Sequence, residues 1–137
     1  MIRLSPGMFF VLAALFAISP AAAQNGPIGK PPVTLLNTVV EGMPTVEKQQ
    51  VRVLRGVLEP RQRTVFHAHP FPVTVYVLTG EFSLKMEDKT VTLKAGEAFS
   101  EPASVKIIGY NPSTTQPNSV IVFYVSNPNA PFLNRIR

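Results

Sequence analysis

From Val33 onward the hydrophobic pattern of this chain repeats every two residues rather than every three or four. Side chains on a strand alternate between two faces, so a period of two is the signature of half-buried β-structure. The candidate strands are short: 33–40, 50–58, 63–69, 73–78, 81–86, 90–93, 98–101, 105–110 and 119–125. Turn signals separate them, at Thr79-Gly80, Glu87-Asp88-Lys89, Lys94-Ala95-Gly96-Glu97 and the loop Pro112 to Asn118. These breaks, with 14 prolines along the chain, leave no convincing helix after the N-terminal segment. Many short strands with frequent turns imply an all-β sandwich or barrel of jelly-roll type. Beyond Val125 the chain turns Pro/Asn-rich, and residues 134–137 read as a tail without regular structure.

The N-terminus has the layout of an export signal. Arg3 supplies a positive charge, Met8 to Ile18 is an apolar run of 11 residues, and Pro20 precedes Ala21-Ala22-Ala23. Spanning a bilayer takes about 20 apolar residues, so the expectation is cleavage after Ala23 and no stable membrane anchor. The mature protein is then periplasmic or secreted, with a flexible leader over 24–32 and a domain over 33–133. The chain has no cysteine, so export brings no disulfide, and the fold must rest on core packing. The net charge of +5 is spread over scattered basic residues with no interleaved aromatics. That distribution is a solvated basic surface, and no nucleic-acid partner is expected.

The chemistry concentrates at Phe66-His67-Ala68-His69-Pro70, which holds the only two histidines. Residues i and i+2 of a strand share a face, so both imidazoles can converge on one point, as a metal or a polar ligand group requires. Alternation also places Val73, Val75 and Val77 on one face. In Ala98-Phe99-Ser100-Glu101 the two large residues Phe99 and Glu101 share a face, which makes Glu101 a candidate third metal ligand, a partner for a protonated imidazole, or a general base. The remaining aromatics, Phe66, Phe71, Tyr76, Tyr110, Phe123 and Tyr124, read as packing residues. Neither a serine or threonine in a nucleophile motif nor a thiol is present.

These residues resemble the cupin superfamily, whose fold is a double-stranded β-helix with two short motifs. The first, G-x5-H-x-H-x3,4-E-x6-G, matches in spacing from Arg61 through His67, His69 and Val73 to Gly80. The second, G-x5-P-x-G-x2-H-x3-N, matches from Gly96 through Pro102, Ser104 and Ile107 to Asn111. The likeness covers roughly residues 50 to 126. It implies a single-domain, jelly-roll barrel, with the metal-binding face inside and a homodimer as the usual assembly. It also implies four ligands, of which only His67 and His69 are present: the motif glutamate is Val73 and the second-motif histidine is Ile107. Arg61 and Ser104 stand where the family has glycine.

The ligand-binding candidates are thus His67, His69, Val73, Glu101 and Ile107, with His67, His69 and then Glu101 as metal candidates. The residues do not distinguish iron, manganese, nickel, copper or zinc. The leading functional expectation is an exported protein that binds a small molecule in its barrel, with a weakly held divalent metal as an option. The alternatives are a metal-assisted oxygenase or isomerase using His67, His69 and Glu101, and a non-catalytic interaction protein with a filled barrel.

Overall fold

A computed structural model describes residues 29–137, and Val33–Arg137 forms one compact unit. The expected signal peptide at 1–23 and most of the leader lie outside the described residues. Among those residues no helix is long and apolar enough to cross a membrane.

Nine strands build the domain: β1 (Gln50–Leu58), β2 (His67–Ala68), β3 (Val73–Thr79), β4 (Glu81–Lys85), β5 (Thr90–Lys94), β6 (Ala98–Glu101), β7 (Ile108–Tyr110), β8 (Asn118–Ser126) and β9 (Asn134–Arg135). They form an antiparallel sheet in the order β1-β8-β3-β6, a second sheet β5-β4-β7, and a small pair β2-β9. Strands consecutive in the chain are mostly not neighbours in the large sheet, as a jelly-roll wrapping demands. The sheets meet through their apolar faces. Val75, Val77 and Val120 from the large sheet pack with Phe82, Leu84 and Leu93 from the smaller one, joined by Met86 and Ile107. Phe82, Leu84 and Met86 are buried together, as alternation through β4 predicts. The approach is tight at Gly109, where an added Cβ would lie 2.6 Å from the Phe82 ring.

Register fixes the order of side chains across the large sheet. Arg52 pairs with Tyr124, Tyr124 with Val73, and Val73 with Glu101, which sets one polar row across four strands. The next inward row is Leu54, Val122, Val75 and Phe99, wholly apolar. The barrel therefore has a polar end and an apolar body. The opposite face of β1 is unlike the usual solvated surface: Val51, Val53 and Val57 are exposed there, beside Phe123.

Two motif positions carry residues other than glycine and still take up a left-handed backbone. Arg61 and Ser104 both have φ 62°, alongside Gly80 at 74° and Gly96 at 90°. The turns have survived the loss of glycine at two of their four sites. Ser104 is tied in by its amide, which donates to the His69 carbonyl (2.8 Å), and Arg61 by its amide to the Ser113 carbonyl (3.0 Å). Asn111 braces the same region. Its Nδ2 donates to the carbonyls of Leu58 (3.0 Å) and Gln116 (2.8 Å), and its Oδ1 accepts from the Ser113 amide.

Four segments differ from the sequence reading. The strand expected over 105–110 narrows to β7 at Ile108–Tyr110. Residues 33–40 have strand-like composition but form no strand, and Val33 and Val39 are exposed; no neighbouring strand offers them hydrogen bonds. The strand expected over 63–69 shrinks to β2 with an isolated bridge at Arg63, because the chain bends at Pro70 and Phe71 and limits its pairing. The segment after Val125, expected to lose regular structure, instead returns as β9. Its backbone pairs His67 with Arg135 and Ala68 with Asn134, and Ile136 donates its amide to the Phe66 carbonyl (2.9 Å). Arg52 clamps the same segment through its guanidinium to the Ala130 carbonyl (2.7 Å), and Tyr124 Oη donates to the Pro131 carbonyl (3.0 Å).

Replacing Ser104 with glycine relieves a left-handed backbone at the cost of extra freedom in the unfolded chain. A net gain of about 0.5–1 kcal/mol is expected from urea unfolding with an unchanged slope. Tyr124→Phe removes the bond to Pro131 while keeping the ring, and should cost about 1 kcal/mol by the same measurement. No loss in that variant would show the tail to be held elsewhere.

Candidate metal centre

Each histidine of the H-x-H pair is anchored by its inner nitrogen. His67 Nδ1 lies 2.7 Å from the Val65 carbonyl, and His69 Nδ1 lies 2.6 Å from the Phe132 carbonyl. A carbonyl oxygen only accepts, so both Nδ1 atoms carry a proton, and in the doubly neutral pair both Nε2 atoms keep a lone pair. The two Nε2 atoms face each other at 3.0 Å, with the rings edge-on at 83°. At that distance two lone pairs repel unless a cation, a metal ion or a shared proton, lies between or beside them. The sequence put these two side chains on one face; the flanking carbonyls decide which atom of each ring points inward.

Glu101 completes the group. It is buried, and its Oε2 lies 3.3 Å from His69 Nε2 yet makes no hydrogen bond. One donor atom from each of His67, His69 and Glu101 falls within 4.8 Å of the others. A buried carboxylate oxygen beside two inward Nε2 atoms suits a divalent transition metal, and these three residues could hold one; with a proton on His69 Nε2 the same contact is an ion pair. The position of the acid follows from register. Val73, where the resemblance calls for glutamate, is paired directly with Glu101 on β6. Opposed residues on adjacent strands carry their Cβ atoms about 5 Å apart, so the carboxylate has crossed to the neighbouring strand and stays at the same end of the barrel.

The electrostatics favour neutral imidazole. Burial pushes His67 below its ordinary value of 6.5; the Val65 carbonyl opposes this, His69 adds to it and Glu101 opposes it. A neutral ring is the form that ligates metal.

The cluster stands at one end of a cavity of about 380 Å³. His67, His69, Val73 and Glu101 all line it, so the structure brings four of the five candidates together. Ile107 does not line the cavity: it is fully buried in the core and, as the bridge partner of His67, exchanges backbone hydrogen bonds with it (3.1 and 2.8 Å). Its part is to hold the backbone of the first ligand. The residues that sequence reasoning missed are Phe132 and Leu133, which close the cavity from the C-terminal segment. The Phe132 ring packs 4.7 Å from His69 and 5.4 Å from Tyr124. An apolar pair, Phe-Leu, directly after Pro131 was the one available sign of a segment that docks.

The model of the cupin domain matches residues 54–124, more than half of the chain. Among solved structures, a cupin-like protein from Thermotoga maritima aligns with a TM-score of 0.54 at 23% identity, over 63% of this chain and 64% of that one. The chain thus spans just under two thirds of that protein. A protein with a double-stranded β-helix domain from Klebsiella pneumoniae aligns with a TM-score of 0.55 at 21% identity, over 73% of this chain and 90% of that one. The polyketide cyclase RemF from Streptomyces resistomycificus aligns with a TM-score of 0.52 at 22% identity, over 64% and 61%. At these identities the structural likeness speaks for the fold alone. No curated protein matches the sequence. With the family model spanning both histidines and Glu101, and the double-stranded β-helix formed around them, the chain belongs to the cupin family.

Proposed function

We propose that this protein is an exported cupin that binds a small molecule in its barrel against a divalent transition metal held by His67, His69 and Glu101. The observation that carries the reading is the convergence of two inward Nε2 atoms, 3.0 Å apart, with a buried carboxylate oxygen that makes no hydrogen bond, all three donor atoms within 4.8 Å of one another. A metal there supplies an electrophilic anchor for an oxygen atom of the ligand. The chain's own residues supply the rest: Val65 and Phe132 aim the imidazoles, and the apolar walls keep water away.

A second reading, catalysis, is favoured by the same orphaned oxygen of Glu101, which is placed at the cavity to accept a proton from a bound molecule. A neighbour of this fold, RemF, is described as a cyclase. The two readings part at turnover: binding alone leaves the bound compound unchanged, whereas catalysis by Glu101 returns a rearranged product that Glu101→Gln no longer makes.

Metal uptake is tested through the register of the two strands. Wild-type protein should take up one equivalent of a divalent ion such as zinc or nickel, measured by elemental analysis and calorimetry. Glu101→Val should weaken that uptake by about a hundredfold or more, since it removes one of three protein ligands. Adding Val73→Glu to that variant returns a carboxylate to the other side of the strand pair and should restore most of the affinity. Equal affinity in all three proteins would sink the three-ligand site.

The pH response follows from His67. Its folded value lies below its unfolded value of 6.5, so between the two the unfolded chain binds more protons. Stability of the metal-free protein should therefore fall as the pH drops below 6.5, level off beneath the folded value, and show no His67 contribution at higher pH. Thermal unfolding in chelator across that range measures the slope, and His67→Gln should flatten it.

A further inference from the structure

We infer that the barrel selects an apolar monoanion: a compact hydrocarbon body bearing a single ionised oxygen head, as a carboxylate, phenolate or enolate. The inference rests on the metal reading above and specifies what that site would take.

Polarity is confined to one end of the cavity. His67, His69 and Glu101 form that end, while Leu54, Val75, Leu84, Val120, Val122 and Leu133 contribute apolar wall. Most of the other polar groups nearby are already committed. Thr64 Oγ1 donates to the Val65 carbonyl (3.0 Å) and accepts from the Gly109 amide (3.0 Å). Arg52, which does not line the cavity, turns one guanidinium nitrogen to Ser126 and the Ala130 carbonyl and leaves its buried Nε without a partner. Arg55, although it borders the cavity, is exposed on the outer face of β1 and donates through Nε to Ser119 Oγ (3.1 Å). A polyol would lose its hydration against such walls with no partner to replace it, which costs a few kcal/mol per hydroxyl.

Charge narrows the head group. A divalent ion with two neutral imidazoles and one carboxylate leaves a single positive charge, in a place where all three protein ligands are buried. One anionic oxygen neutralises it. A second anion on the same molecule would have to lie against the apolar body, where the one bordering cation, Arg55, is exposed on the outer face of β1 and bonded to Ser119, so phosphorylated compounds and dicarboxylates are disfavoured. Size narrows the body. A volume of about 380 Å³ stands near the lower end of small-molecule sites, which suits one or two fused rings and not a long acyl chain.

The test uses the zinc-loaded protein freed of excess metal, with zinc content measured before and after each titration. Calorimetry compares 2-naphthoate with gluconate, a polar monoanion, and with naphthalene-2,6-dicarboxylate. The expected result is one-to-one binding of 2-naphthoate, about a hundredfold or more tighter than either comparator. Val122→Phe, which fills the body of the cavity away from the ligands, should abolish 2-naphthoate binding and leave zinc content unchanged. Equal or tighter binding of gluconate or the dicarboxylate in the wild-type protein overturns the inference, and this comparison does not depend on the variant folding. Failure to hold zinc at all strikes the metal reading itself, whereas zinc held one-to-one without discrimination among the three probes strikes only the ligand class.

Discussion

Two hydrogen bonds from ring nitrogens to backbone carbonyls set the character of this protein. Had either Nδ1 been free, the imidazole could have carried its proton on Nε2 and settled against its neighbour as an ordinary donor–acceptor pair. With Val65 and Phe132 each claiming a proton, both Nε2 atoms are forced onto one point 3.0 Å across, and Glu101 brings a carboxylate oxygen to the same place, 3.3 Å from His69 Nε2. Three electron-rich atoms are gathered there, and a cation, a metal ion or a proton on one ring, is what balances them. Burial sharpens the imbalance by excluding the water that would screen it.

The rest of the barrel serves that imbalance. The apolar row of Leu54, Val122, Val75 and Phe99 lies directly behind the polar row, so the dielectric falls within one pair of residues of the ligands. The turns that hold the strands in register include two left-handed positions without glycine. One of these, Ser104, is bonded to the backbone of His69 itself. The strained turn is thus coupled to the site it borders, and packing around it must offset the strain.

The fold was legible because its marks are local. Alternation in β3 and β4, the turns at Gly80 and Gly96, and the spacing of two motifs all survive in a single sequence, and each is a property of residue type and interval. Glu101 was legible for the same reason, since Phe99 and Glu101 had to share a face. What its alternation could not show is that Val73, the apparent gap in the motif, stands directly opposite it. That is a fact of register between residues 28 positions apart in the chain, and it sets a carboxylate across the strand pair from the empty motif position. Residues 33–40 failed in the other direction: their composition suits a strand, but a strand exists only where a partner offers hydrogen bonds. The C-terminal segment was least legible. It acts through the carbonyl of Phe132, and a carbonyl is the same on every residue.

That carbonyl also gives the site a place in time. His67, His69 and Glu101 all precede residue 132 in the chain. Until residue 132 has been added and β9 has zipped onto β2, His69 has no acceptor for its Nδ1 proton, and nothing holds its Nε2 inward. The aim of the second imidazole is thereby a late event, set by the docking of residues 132–135. A copy cut before residue 132 would keep both histidines and lose the aim of one of them.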